Sequence, residues 1–306
     1  MKEQQILSTI KNIIGDKYIG DDCAYLNDLG IVVTQDNLVE GVHFDITYMT
    51  PFQLGYKSAT VNISDIAASG GIPKYMTVGL SLPKDIELEF VDEFYNGLKS
   101  ALSEVEVIGG DITSSEKIMI SITAIGMTKD RKISSRSGAK EGYVIAVSGV
   151  HGSSAGGLKL LMQGKTEPKN LIEAHLMPKA QIKIAKNIAE NLKDDYGMMD
   201  SSDGLADALL KIADASNKTI IVDFDKVKFD NELKELFPND YIDMVLYGGE
   251  DYQIVAAIPE EIATKTEGLN IIGHVYEPKE DSSVIIKIAE ENITLSPEKC
   301  FNHFEI

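Results

Sequence analysis

Two cysteines, Cys23 and Cys300, are all that the 306 residues hold, too few for a disulfide framework and without zinc spacing. No apolar run approaches the ~20 residues of a membrane span. The opening MKEQQILSTI lacks the apolar core of a signal peptide, so a cytoplasmic address without membrane attachment is expected. Basic residues are scarce as well: 29 Lys and Arg stand against 48 Asp and Glu, a formal charge of −19. Without a Lys/Arg run, binding of nucleic acid through its phosphates is excluded. Two nucleotide signatures are also missing. GVHGSSAGGLK (149–159) lacks the Gly-Lys-Ser/Thr ending of a P-loop, and no GxGxxG fingerprint occurs. That stretch reads as a strand–turn–helix connection, with phosphate contact through helix N-terminal amides as the alternative.

What is present is the composition of a folded protein, 43% hydrophobic and 25% charged, long enough for two domains. Ile6, Leu7, Ile10, Ile13 and Ile14 predict a short amphipathic helix ending before Gly15. IVVTQD (31–36) reads as a strand. A helix follows, with Thr50 as N-cap, Pro51 at its first position and Gly70-Gly71 as its stop. Strands are expected at 75–82 and 118–126, flanking a helix over 87–104. After a polar loop come a strand at 143–150, helices near 153–163, 178–194 and 203–215, and strands in TIIVDF, EDYQIVAAI, NIIGHVYE and SSVIIKI. The fold class is α/β or α+β, with two mixed domains, 1–136 and 137–306.

Six stretches place acids beside Gly, Ser or Asn. They contribute Asp21 and Asp22 (GDDCA), Asp36 (VVTQD), Asp65 (NISDIAA), Asp111 (VIGGD), Asp200 and Asp203 (MMDSSDG), and Glu250 and Asp251 (GGEDY). One such residue is ordinarily a cap or a turn. Asp65 differs, because its helical neighbours are small and apolar and a buried carboxylate there needs a partner such as a cation. A repeated supply of Asp, Asn, Ser and Thr, without His/Cys spacing, suits a hard cation bridging protein carboxylates to substrate phosphates. The residues alone therefore point to a two-domain, magnesium-dependent enzyme of phosphoryl chemistry. His43 falls in or beside a loop, and Arg136 is a solvated cation unless an anionic ligand lies next to it.

GDDCA, TQDNLVEGVHF, GYKSATVNISDIAASGGIP, IGGD, SRSGAKEG, DSSDGLADAL and GGEDY, in that order, resemble the thiamine-monophosphate kinase family, and the terminal CFNHF resembles its closing aromatic-x-His-Phe. The wider superfamily includes aminoimidazole ribonucleotide synthetase, selenophosphate synthetase and a hydrogenase maturation factor. The resemblance implies ATP-dependent phosphorylation of thiamine monophosphate to thiamine diphosphate. It also implies a homodimer whose N-terminal sheets pair into a barrel, with the active site in a cleft near that interface.

By the same resemblance, Asp22, Asp36, Asp65, Asp111, Asp200 and Asp203 match magnesium ligands, and Thr34 a further metal contact. Tyr95, Gly110, Asp111, Arg136 and Ser202 match ATP contacts; His43, Glu250 and Phe301 match residues that hold the thiamine phosphate. Gln35 replaces a common Ser or Thr, Tyr143 a common Asp and Phe301 a common Tyr. Two rival readings stay open: another ATP-using enzyme of the superfamily, and a non-catalytic, cation-binding acidic protein.

Overall fold

A computed structural model describes residues 2–278 and 280–304. Helix α1 (Lys2–Ile14) leads in. The first sheet comprises β1 (Ala24–Leu26), β2 (Ile31–Val39), β3 (Ile72–Leu82), β4 (Glu106–Ser114) and β5 (Met119–Met127), in the order β1-β2-β5-β3-β4. Its neighbours pair antiparallel except β3 and β4. That parallel pair is joined through helix α3 (Leu88–Ala101), because parallel strands require a crossover. The side-chain period of two divides the sheet. Val32, Leu38, Met76, Val78, Ile120 and Ile122 are buried on one face, whereas Gln35, Asn37, Thr77, Gly79, Ser121 and Thr123 alternate with them on the other.

Helix α2 (Pro51–Ala68) covers the buried face and starts as its sequence predicts. The Thr50 hydroxyl accepts from Gln53 N at 3.2 Å, and the Gln53 side chain accepts from Thr50 N at 2.9 Å, a reciprocal cap ahead of Pro51. Leu54, Gly55, Lys57 to Ser64 and Ile66 to Ala68 are all buried, so α2 is enclosed on nearly every side and not half-exposed like an amphipathic helix. It crosses α3 with the two backbones touching. A Cβ on Gly55 would lie 1.9 Å from Phe94 O, and one on Gly97 1.8 Å from Phe52 O.

The second sheet has the order β12-β11-β8-β10-β6-β9-β7. Its strands are β6 (Val144–Ser148), β7 (Gly197–Asp200), β8 (Thr219–Asp223), β9 (Ile254–Ile258), β10 (Leu269–Tyr276), β11 (Ser283–Ile288) and β12 (Glu291–Thr294). Only β8 and β11 run parallel, so the class is α+β. The helices are α4 (Ser153–Met162), α5 (Lys169–Leu176), α6 (Ile182–Asn191), α7 (Leu205–Ser216), α8 (Asn231–Leu236), α9 (Tyr241–Tyr247) and α10 (Glu260–Lys265). The C-terminal end of α2 packs into this half as well, since Ala67 and Ala68 share a core cluster with Val144, Ala146, Ile254 and Ala256. One helix thus touches both sheets. Among the described residues no helix is long and apolar enough to cross a membrane.

Candidate active site

Strand alternation puts Thr34 and Asp36 of β2 on the face that looks at α2. There Thr34 Oγ1 donates to Asp65 Oδ2 at 2.7 Å, and Asp36 N donates to Asn62 Oδ1 at 3.3 Å. One position before Asp65, Ser64 Oγ donates to Asp200 Oδ2, and Asp200 ends the edge strand β7. Asp22 comes from the loop before β1, and its Oδ1 lies 2.6 Å from Arg136 Nη2. Its neighbour does different work: Asp21 Oδ1 accepts from Arg136 N at 2.7 Å and Ser135 Oγ at 3.2 Å, tying two loops together.

These buried acids raise one another's pKa. Burial, then Asp36, Asp200 and Asp22, push Asp65 well above the ordinary carboxylate range. Burial with the negative charges of Asp203 and Asp22 lifts Asp36 to about 6. Burial and Asp22 lift Asp200 to about 7. Asp22 is raised by burial although Arg136 opposes the shift. Asp22 Oδ2 and Asp200 Oδ1 are buried without a hydrogen-bond partner, which is costly for a polar atom and worse for a charged one. Such a set fits cations. Among the described residues, however, no three acidic, His or Cys side chains converge to chelate one ion unaided.

Beside the cluster opens a cleft of about 900 Å³ whose walls include Asp36, His43, Asp65, Ser202, Asp203, Glu250 and Phe301. His43 Nδ1 accepts from Val39 N at 3.1 Å, which leaves Nε2–H as its donor. Burial and then His303 hold its pKa down, so the ring is neutral near pH 7. The terminal segment folds onto it. His303 lies 5.2 Å from the His43 ring and edge-on to Phe301 at 4.8 Å, with Tyr48 and Tyr247 completing an aromatic wall. In GGEDY, Glu250 and Tyr252 adopt left-handed backbones with φ of 66° and 50°, a strain that recurs at functional sites. Glu250 faces the cleft. Asp251 turns away, and its carboxylate accepts from Gly152 N at 2.5 Å and Ser154 N at 2.9 Å. The α4 N-terminal amides are therefore occupied by this chain's own acid, which corrects the alternative of phosphate contact there.

Three predicted positions lie elsewhere. Tyr95 is half-buried on α3, and Gly110 and Asp111 lie on β4, an edge strand exposed along all nine residues. Asp111 pairs with Gly79 across the sheet, on the face opposite Asp36. Within one chain these three do not join the cluster. Sequence reasoning missed Ser64 and Asn62, which brace the acids, and Lys211, which lies 3.3 Å from Asp203 and 2.6 Å from Asp207. The i, i+4, i+8 spacing of Asp203, Asp207 and Lys211 was the available signal for the last.

Residues 20–128 match the family model described as AIR synthase related protein, N-terminal domain, and 140–286 the C-terminal domain of the same description. Fold and site thus define an AIR-synthase-related protein. A thiamine-monophosphate kinase of Aquifex aeolicus is 38% identical over 89% of this chain and 90% of its own length, and one of Bacillus subtilis 33% over 97% and 96%. A solved structure described as AaThiL complexed with AMPPCP and TMP superposes with a TM-score of 0.86 at 35% identity, covering 96% of this chain and 98% of that one. The chain belongs to the thiamine-monophosphate kinase family.

Proposed function

We propose that this chain transfers the γ-phosphoryl group of ATP to thiamine monophosphate, giving thiamine diphosphate and ADP, the last step in making that cofactor. The observation that carries the reading is the junction of the buried carboxylate cluster with the aromatic, Glu250-bearing cleft. The relatives' name and the nucleotide analogue and TMP of the AaThiL structure support it.

The acceptor is itself a phosphate with a second pKa near ~6, so at neutral pH it is already a nucleophile and needs no general base. The difficulty is repulsion. Two unit charges ~4 Å apart oppose each other by on the order of 4 kcal/mol at an effective dielectric of 20, and both substrates carry several. Mg²⁺, when bound, would supply the positive charge that offsets this repulsion. Asp22, Thr34, Asp36, Asp65, Asp111, Asp200 and Asp203 are the residues to hold it, with the orphaned oxygens of Asp22 and Asp200 as the structural support. Arg136, Ser202, Tyr95 and Gly110 serve ATP. The neutral His43 donates its Nε2–H to the thiamine phosphate, Phe301 lends a ring face, and Glu250 accepts a hydrogen bond. What remains for the protein is alignment and water exclusion, so transfer is direct and in line.

A homodimer belongs to the same reading. The exposed strand β4, with Val107, Ile108 and Ile112 exposed along it, is an open edge of the kind that pairs with a second copy. Pairing there into a barrel is an arrangement that carries Tyr95, Gly110 and Asp111 toward a cluster. The two halves, 1–136 and 137–306, then act as a nucleotide-and-dimer unit and a second αβ unit, in a cytoplasmic enzyme. A coupled ADP-release assay tests the function. Turnover is expected with thiamine monophosphate and none with thiamine or without acceptor; equal ADP release in all three refutes it.

A further inference from the structure

Behind Glu250 lies a polar network that the reaction does not account for. Lys57, on α2, is fully buried, and its Nζ stands 3.0 Å from Glu250 Oε1. The pair is not aligned as a hydrogen bond, because Lys57 Nζ has no directed acceptor. Glu250 Oε2 stands 3.3 Å from His175 Nδ1 on α5, and the same nitrogen is 3.1 Å from Ser154 Oγ on α4. Burial, and then Lys57, lower His175 to about pKa 2, so this imidazole is neutral and adds no charge beside the Lys57–Glu250 pair. His175 and Ser154 line the cleft, whereas Lys57 does not and acts only through Glu250.

Two consequences follow. Each carboxylate oxygen has a nitrogen of the chain close by, Lys57 Nζ at 3.0 Å and His175 Nδ1 at 3.3 Å, on a backbone already fixed by φ of 66° and by Glu250 N donating to Ser202 O at 2.7 Å. The charge that Glu250 would show a cationic ligand is also cancelled 3.0 Å away. Recognition of positive charge in this cleft then falls to the aromatic faces, and Glu250 keeps its free lone pairs for a donor.

We propose that Lys57 and His175 are positioning residues that hold Glu250 as a charge-compensated hydrogen-bond acceptor, so that Glu250 reads an N–H donor of the substrate and not its cationic ring. The inference rests on the reading that Glu250 faces thiamine phosphate, and the test separates the two.

The experiment measures kcat and KM for E250Q, K57M and K57M/E250Q, with thiamine monophosphate and with an analogue monophosphate whose ring is neutral but whose aminopyrimidine is intact. E250Q keeps an amide oxygen as acceptor but loses the ionic strengthening of the bond, and is expected to raise KM for thiamine monophosphate about fivefold, with KM for ATP within twofold. If it does not, the placement of Glu250 against this substrate fails. Given that rise, K57M should raise the same KM by a similar factor, and the double variant should match E250Q alone. A K57M enzyme with unchanged KM, or one whose KM for ATP rises equally, overturns the positioning role. The E250Q penalty should be the same for the cationic and the neutral-ring substrate; a penalty confined to the cationic one overturns charge compensation. Melting temperatures keep folding apart from binding. K57M should melt below wild type, because it leaves the part-buried Glu250 carboxylate without its cation, and the double variant should recover that loss.

Discussion

Asp200→Asn isolates the tension inside the carboxylate cluster. Asp200 is buried, accepts from Ser64, and has its pKa raised from 3.8 to about 7 by burial and Asp22. A carboxyl whose folded value lies above its unfolded value holds its proton more tightly when folded. Stability is therefore full below about pH 4 and falls as pH rises to about 7. At about 1.4 kcal/mol per pH unit, that rise costs the metal-free chain roughly 4 kcal/mol at pH 8. Asparagine removes the charge and can still accept from Ser64. In EDTA at pH 8 the variant should be more stable than wild type by roughly 1–4 kcal/mol, the lower figure allowing for relief shared among the remaining acids. The difference should vanish only below about pH 4, where Asp200 is protonated in the folded and the unfolded chain alike. Urea titrations at both pH values measure it. With Mg²⁺ the order should reverse, because the ion stabilises only a chain that can bind it, and turnover should be lost. Asp200→Asn less stable than wild type at pH 8 in EDTA refutes the argument.

Asp65→Asn and Asp111→Asn should each abolish turnover and keep the circular dichroism of the wild type. Activity retained at saturating Mg²⁺ removes that residue from the ligand set. The stabilisation of the wild type by Mg²⁺, read as a shift in melting temperature, should be larger at pH 8 than at pH 5.5, since the ion displaces protons from Asp36 and Asp200 at the lower pH. A larger shift at pH 5.5 contradicts this. Gly97→Ala should destabilise by about 3 kcal/mol or more, because its Cβ would lie 1.8 Å from a backbone oxygen of α2; a denaturation midpoint within error of wild type contradicts the close crossing. Incubation with γ-labelled ATP alone should leave no label on the protein, and an isolated phosphoenzyme argues against direct transfer.

Helix α2 was legible nearly to the residue, because Thr50, Pro51 and Gly70-Gly71 act locally, through a cap, a fixed φ and a left-handed stop, whereas the reciprocal bond from Gln53 emerged only in the structure. Asp65 was legible for the opposite reason: a carboxylate among small apolar residues has no solvated alternative. β4 was not, since EVIGGDITS lacks alternation, and an exposed edge strand has no buried face to impose it. β7 has four residues buried throughout, too short to show a period. Ser64, Asn62 and His175 were invisible because their roles depend on which distant segment arrives opposite them. Lys57 reads as an ordinary exposed helix lysine until the helix proves to be enclosed on all sides. For Gly110 and Tyr95 no local pattern points to a ligand, and only the resemblance suggests a role for them.

The adjacent acids at 21 and 22 show why a chain so negative does not defeat its own chemistry. Asp21 spends its charge on the backbone N–H of Arg136 and the hydroxyl of Ser135, where it fixes Arg136 in place. The Arg136 side chain then reaches Asp22 at 2.6 Å and holds one of its oxygens, leaving Oδ2 buried without a hydrogen-bond partner. The pair is thus a lever: one carboxylate sets the position of a cation, and that cation aims the other carboxylate into the cluster. Replacing Asp21 by Asn keeps an acceptor for Arg136 N and should be tolerated. Replacing it by Ala frees the loop, and KM for ATP should rise before kcat falls, because Arg136 loses its seat while Asp22 keeps its place on the chain.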